Sequence, residues 1–125
     1  MKIDVPPHLV VVSAAVHRAF QHVRDGTESL KESFRKGQVS VAGISAINSF
    51  ELEIAYQDTK YLFHVDRIAS DVYRFKLGNN VIEAKVSLAA DGALLATFGG
   101  ETHRIFGMEE PLGLRLVVDG NTLLM

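Results

Sequence analysis

Five histidines and two pairs of glutamates are the residues of this chain best suited to metal binding or proton transfer. The histidines are His8, His17, His22, His64 and His103. A zinc site on a helix needs histidines three or four residues apart, whereas His17 and His22 are five apart and point about 140° away from each other. We therefore expect ordinary, partly exposed histidines and no metal ligands.

The carboxylate pairs are Glu51 with Glu53 and Glu109 with Glu110. General acid–base catalysis uses positioned groups of this kind. Glu51 and Glu53 occupy alternate positions, which share one face of a strand, and a solvated outer face explains them more simply. Glu109 and Glu110 precede Pro111, which indicates a loop or a sheet edge. We expect neither pair to be catalytic.

Sequence motifs for phosphate binding and nucleophilic catalysis are missing. The glycines of Gly78-Asn79-Asn80 and Gly99-Gly100 lie between strand-like runs, not before a helix, where a phosphate-binding loop would place them. The chain has no cysteine, which excludes disulfides, thiolate metal sites and cysteine nucleophiles. We predict no catalytic, cofactor-binding or metal-binding residue in this chain.

Size and composition are typical of one domain, which we predict over residues 1–125. The chain is 47% hydrophobic, enough for a core without disulfides, and its formal net charge of −2 argues against a nucleic-acid partner. No apolar run approaches the roughly 18 residues of a membrane span, so we expect no membrane partner. The last residues, Leu123-Leu124-Met125, end a strand-like run, and we expect this chain to be excised from a larger one.

The elements that would position these residues begin with a helix, predicted over about residues 7–36. Only Ser13 is polar between Leu9 and Val16, so this part must be covered on every side. The run of valines at 10–12 could also begin a buried strand, but Pro7, the alanines and the helical spacing of later apolar residues favour a helix.

The second half of this helix is more polar and should emerge from its cover. Gly26 either breaks the helix or lies in one bent helix at a cost of about 1 kcal/mol. Arg35, Lys36 and Gly37 are typical of a helix end, with cations on the last turn and glycine just beyond it.

From Ser49 onward apolar and polar residues alternate, which predicts an antiparallel sheet of about eight strands over residues 49–125. Asp91-Gly92, Gly99-Gly100 and Asp119-Gly120 are hairpin signals, because both central residues tolerate positive φ. A long meander needs a cover for its apolar face, and the apolar helix is the candidate. We therefore predict an α+β fold in which an N-terminal helix is wrapped by an antiparallel β-meander or barrel.

Residues 37–48 form the connector between helix and sheet, and residues 38–48 carry no charge. We predict a surface loop, because connecting segments of this length are usually exposed and functional. The candidate interaction residues are Val39, Val41, Ile44 and Ile47. Alternatively, the connector plugs one end of the barrel or adds an edge strand. We favour this alternative for Val39 and Val41, and partner binding for Ile44 and Ile47.

Several segments, read together, resemble one region of the eukaryotic multidomain acetyl-CoA carboxylases. In that family this order of features lies between the biotin carboxylase and biotin carrier domains, in a domain called the BT domain. The segments are Arg35-Lys36-Gly37-Gln38-Val39, Tyr61-Leu62-Phe63, Asp91-Gly92-Ala93-Leu94-Leu95, residues 99–106, Glu109-Glu110 and residues 114–122.

The resemblance implies a long helix wrapped by about eight strands, in a non-catalytic scaffold that mediates contacts between the biotin carboxylase and carboxyltransferase domains of the same enzyme. The parent would be a biotin-dependent ligase that forms malonyl-CoA for fatty acid biosynthesis, with biotin and ATP with a divalent metal as its cofactors. It would be cytoplasmic or in the plastid. This chain lacks the glycine loop that binds ATP and the Met-Lys-Met site that carries biotin, so the domain itself is not expected to be an enzyme.

The resemblance also implies that the connector hooks onto a neighbouring domain. The alternative function is that of a free-standing small β-barrel that binds an apolar small-molecule ligand in its mouth. The helix distinguishes the two functions, because Leu9, Val12, Val16 and Phe20 would leave no ligand cavity if they fill the barrel interior.

Overall fold

The computed structural model describes residues 7–37, 41–111 and 113–124. Within these ranges, two helices precede a sheet of eight strands. The helices are α1 (Pro7–Arg35) and α2 (Val41–Asn48). The strands are β1 (Ser49–Tyr56), β2 (Thr59–Ala69), β3 (Val72–Leu77), β4 (Asn80–Leu88), β5 (Leu94–Phe98), β6 (Glu101–Glu110), β7 (Gly113–Val118) and β8 (Asn121–Leu124).

The sheet is a meander in which every strand is antiparallel to the next, in the order β1 to β8. Two-residue turns with positive φ at both positions connect three of the pairs, and such turns match the right-handed twist of the strands. They are Gln57-Asp58, Gly99-Gly100 and Asp119-Gly120. The sheet curls into a half-barrel. Its eight strands in sequential order confirm the predicted antiparallel meander of about eight strands.

The concave face of the sheet holds the first half of α1. Every residue from Val10 to Val16 is buried, and Val12 and Val16 are 4% and 1% exposed. They pack in one core with inward-facing strand residues such as Phe63 and Leu116, and each buried side chain of this kind contributes about 1.5–3 kcal/mol. The predicted helix wrapped by a sheet is therefore confirmed.

Helix α1 is a single helix that continues through Gly26 to Arg35. It ends as the sequence predicts, because Gly37 adopts a φ of 71° and its N–H donates to the carbonyl of Phe34 at 3.1 Å. No residue of α1 after Val23 is buried, which agrees with the expectation that the second half emerges from the sheet.

One local prediction is wrong, and of another only one alternative is confirmed. Residues 41–48 of the connector form α2 rather than a loop. A helix of eight residues is marginal by itself, so the sequence gives little sign of it, and α2 depends on its packing against α1, β1 and β2. Of the two alternatives for Glu109 and Glu110, a loop or a sheet edge, the structure has the edge: both residues lie in the part of β6 that pairs with β7 but not with β5. Pro111 follows the strand in a turn.

Candidate functional site

Two of the predicted interaction residues, Ile44 and Ile47, lie on α2, which packs against α1 and β1. Gly26 makes this approach possible, because a Cβ there would lie 2.8 Å from Cγ1 of Ile47. One turn earlier in α1, His22 Nε2 donates to the carbonyl oxygen of Ala46 at 3.0 Å. The ring of His22 also stacks on that of Phe50, with 3.8 Å between the centroids. Helix α2 is therefore held in place at two successive turns of α1.

The structure describes the side chains of two of the four candidate interaction residues. Val39 lies outside the described residues, and so does the side chain of Val41. Ile47 is partly buried and packs against the core, whereas Ile44 is 39% exposed. The interaction role of all four stays a prediction, but of the two side chains that are described, Ile44 is the one more available to a partner.

The end of α1 adds a second exposed apolar side chain. Phe34, in the last turn of the helix, is 63% exposed. Single exposed apolar residues are common on protein surfaces. Phe34 and Ile44 differ from a random pair because they flank the same short connection between α1 and α2.

A separate cluster of four polar side chains lies on the outer face of β1 and β2. His64 Nδ1 donates to Glu51 Oε1 at 2.7 Å, and His64 Nε2 lies 3.2 Å from Asp66 Oδ1. Carboxylates only accept hydrogen bonds, so the imidazole satisfies both best when both its nitrogens carry protons. The hydrogen bond to Glu51 accordingly raises the pKa of His64 above its ordinary value.

Ser49 completes this cluster and gives it a superficial likeness to a serine–histidine–carboxylate triad. Its Oγ lies 3.3 Å from His64 Nε2, but it donates its proton to Asp66 Oδ1 at 2.8 Å, which lowers the pKa of Asp66. A general base must accept the proton of the nucleophile. Here the Ser49 proton goes to Asp66 and not to His64, so the cluster ties β1 to β2 instead of activating the hydroxyl.

Sequence reasoning missed this cluster because it did not fix the register of the first hairpin. Tyr56 pairs with Thr59 across the two-residue turn at Gln57-Asp58. Counting back from that turn places Glu51 opposite His64 and Ser49 opposite Asp66. The turn at Gln57-Asp58 is therefore the sequence signal from which the cluster could have been found.

A second histidine–carboxylate pair lies at the hairpin between β7 and β8. His103 is 8% exposed and its Nδ1 donates to Asp119 Oδ2 at 2.7 Å. The backbone N–H of Arg104 donates to the other carboxylate oxygen at 2.9 Å. Burial alone would raise the pKa of Asp119, but these hydrogen bonds hold it below its ordinary value. The pair fixes the turn against β6.

Among residues 7–37, 41–111 and 113–124, no group of three or more histidine, cysteine, aspartate or glutamate side chains could hold a metal ion. The helices that these ranges contain include none with the length and apolar character needed to cross a membrane.

Open space remains at the start of α1, next to His8. Two grooves, of ≈ 550 Å³ and ≈ 630 Å³, share Val12 and Ile82 in their walls. They lie beside the helix rather than in place of it, because Val12 and Val16 occupy the concave face of the sheet.

Comparison with known proteins gives one consistent family. A family model described as "Acetyl-CoA carboxylase, BT domain" matches residues 6–125. The chain is 30% identical over 126 residues to acetyl-CoA carboxylase 2 of Arabidopsis thaliana, covering 100% of this chain and 5% of that protein. It is 29% identical over 119 residues to the acetyl-CoA carboxylase of Saccharomyces cerevisiae, covering 95% of this chain and 5% of that protein. The chain thus spans about one twentieth of the length of the curated relatives it matches.

Proposed function

This chain belongs to the acetyl-CoA carboxylase BT-domain family, and on that premise we propose that it is a non-catalytic interaction domain of an acetyl-CoA carboxylase. It holds the biotin carboxylase and carboxyltransferase domains at the spacing that a biotin carrier has to cover. Such positioning acts through effective concentration rather than through chemistry at the domain itself. The parent enzyme forms malonyl-CoA for fatty acid biosynthesis and uses biotin and ATP with a divalent metal.

The observation that carries this proposal is the division of α1 into two parts. Its first half is buried by the sheet, while the segment after Val23 has no buried residue and carries α2 at its side. A rigid helix anchored in a half-barrel transmits position from one domain to another, which a flexible linker does not. The contact at Gly26 and Ile47 and the hydrogen bond from His22 to Ala46 make α2 part of this rigid unit.

The partner surface on this unit includes Ile44 and Phe34, the exposed apolar residues on either side of the connection. Interfaces gain most of their affinity from a few such side chains that become fully desolvated on binding. Ile47 is not part of this surface, since it packs against Gly26 and the core.

The test is Ile44→Asp in the complete polypeptide that contains this chain. We expect the overall carboxylase activity to fall by about fivefold or more, the effect of losing one significant interface residue. The biotin carboxylase and carboxyltransferase half-reactions, assayed separately, should keep their rates because the damage is to assembly. Ser45→Asp introduces the same charge at the neighbouring exposed position and is the matched control.

Two results would argue against the proposal. One is wild-type overall activity in the Ile44→Asp enzyme, and the other is an equal loss in the Ser45→Asp enzyme. Circular dichroism of the 125-residue chain with each substitution shows whether the fold is retained. Ile47→Asp is unsuitable for this test, because an unpaired charge would enter the contact with Gly26 and unfold the domain.

The alternative function, a free-standing small β-barrel that binds an apolar ligand in its mouth, has less support. Val12 and Val16 fill the concave face of the sheet, and Leu9 and Phe20 pack against the same core. By the criterion set from the sequence, a helix in this position occupies the interior, and the space that remains is the two grooves beside His8.

A further inference from the structure

A cleft of ≈ 310 Å³ lies where the middle of α1 passes β6 and the turn between β4 and β5. One of its walls is a single face of α1, because positions i, i+3, i+4 and i+7 of a helix lie above one another. The residues of this wall are His17, Phe20, Gln21 and Arg24. The opposite wall includes Phe106 and Gly107 of β6.

The cleft exists because β5 is much shorter than β6. The pairing of β5 with β6 ends where Leu94 meets Ile105. Residues 106–110 of β6 continue as a strand but pair only with β7. The missing strand neighbour leaves a gap in the sheet. The side chains of α1 that face this gap are polar or aromatic, whereas those nearer the start of the helix are mostly aliphatic.

Gly107 lets the ring of His17 lie directly against β6. A Cβ at Gly107 would come within 2.5 Å of His17 Nδ1 and Cε1, so only glycine permits this approach. The Nε2 atom of His17 is buried and has no hydrogen-bond partner among the described residues. Burial lowers the pKa of His17 below its ordinary value, which keeps the imidazole neutral. Buried polar groups without a partner are rare in native proteins, and they often mark the place of a water, an ion or a ligand.

The charged groups around the cleft leave a single positive charge without a partner. Asp91 forms an ion pair with Arg104, and Glu109 lies 3.5 Å from Arg18. Arg24 has no ion pair within the described part of the chain, and its guanidinium lies 5.9 Å from the centroid of the Phe20 ring. The cleft thus combines one cation that has no ion pair among the described residues with two aromatic rings.

We propose that this cleft binds a small organic acid whose carboxylate pairs with Arg24, while its short hydrocarbon part lies between Phe20 and Phe106. Arginine presents a planar fork of donors that matches a carboxylate. A volume of ≈ 310 Å³ is at the small end of ligand pockets, which fits a compact acid and excludes a nucleotide-sized ligand. This proposed binding site is independent of the proposed scaffold function. A negative result for one proposal leaves the other standing.

The test uses phenylacetate as the probe, titrated into the 125-residue chain and followed by two-dimensional NMR of the backbone amides and the histidine rings. We expect saturable shifts at the amides of Gln21 and Gly107 and at the ring nitrogens of His17. A ligand of this size binds with a Kd on the order of 1 mM. Phenylacetamide, which has the same shape without the charge, should bind at least about tenfold more weakly, since a charge-assisted hydrogen bond contributes about that factor.

Two variants locate the charge that is responsible. Arg24→Gln should weaken phenylacetate binding about tenfold, while Arg35→Gln should leave it unchanged. Arg35 is exposed on the same helix, outside the cleft, and so it is the matched control. The proposal is wrong if phenylacetate causes no saturable shift at tens of millimolar or if phenylacetamide binds equally well. It is also wrong if the Arg24 and Arg35 variants lose affinity to the same extent.

Discussion

Gly26 and Ile47 meet where α2 crosses α1, and a Cβ on the glycine would lie only 2.8 Å from Cγ1 of the isoleucine. Glycine inside a helix costs about 1 kcal/mol relative to alanine. The glycine therefore needs a reason that lies outside its own helix, and the close approach of α2 is that reason. Tertiary packing, and not helix propensity, decides which residue fits at this position.

The first prediction concerns Gly26→Ala. In an isolated helix this change would stabilise by about 1 kcal/mol, but here the new methyl group overlaps a stiff β-branched side chain. We expect a net decrease of about 1–3 kcal/mol in the free energy of unfolding, the usual effect of overpacking. Urea denaturation followed by circular dichroism measures this difference.

The double variant Gly26→Ala with Ile47→Ala is the critical comparison. The Ile47→Ala change removes the atom that the new methyl group would overlap. The double variant should therefore lose less free energy of unfolding than the two single variants lose in sum. Ser29→Ala, on the exposed part of the same helix, should change stability by no more than about 0.5 kcal/mol. A stabilised Gly26→Ala protein would show that α2 does not pack on α1 in solution.

The sheet and the buried half of α1 could be predicted because their signals are local and repeated. Alternation along each strand fixes which face is apolar. The stretch from Leu9 to Val16, in which only Ser13 is polar, has to be covered on every side. Each signal points to the same architecture, so errors at single positions do not matter. The likeness to the carboxylase family agrees with it and is confirmed by the family match over residues 6–125.

The parts that sequence reasoning missed depend on contacts between distant residues. Helix α2 has eight residues and no charge, and nothing in its own sequence reveals that Gly26 will receive Ile47. The contact between the His17 ring and Gly107 joins residues ninety positions apart. It lies where β6 extends beyond the shorter β5. Both contacts depend on tertiary structure, and the spacing of apolar residues along the sequence does not predict them.

The second prediction concerns Ser13, which lies in the buried half of α1 and is 0% exposed. Its Oγ has no hydrogen-bond partner among the described residues. A buried hydroxyl without a partner costs about 1–3 kcal/mol, so Ser13→Ala should raise the free energy of unfolding by about 1 kcal/mol. Thermal and urea unfolding of the variant measure this change.

Thr27→Ala provides the opposite case for comparison on the same helix. The hydroxyl of Thr27 donates to the carbonyl of Val23 at 2.7 Å, so its removal should not stabilise the protein beyond the gain in helix propensity. If Ser13→Ala instead lowers stability, its hydroxyl has a partner, such as a buried water, and the cost assigned to it is wrong.

The third prediction is a pH dependence of stability that comes from His64. The hydrogen bond to Glu51 raises the pKa of His64 in the folded protein above the ordinary value of 6.5. The folded state therefore holds the proton more tightly than the unfolded state. The contribution is fully present below pH 6.5 and is lost as the pH rises through the folded pKa. Because the side chain is 39% exposed, water screens the interaction, and we expect only about 0.2–1 kcal/mol.

The measurement is the difference in unfolding free energy between the wild-type protein and His64→Gln, taken at intervals from about pH 5 to pH 9. This difference should be largest at the acid end and should shrink toward the alkaline end. Glu51→Gln should remove most of the same dependence, because Glu51 is the largest cause of the raised pKa. Glu53→Gln, on the same strand face but bonded to Lys60, should leave it intact. A difference that grows with pH would mean that His64 is neutral in the folded state and that the cluster binds it as an imidazole.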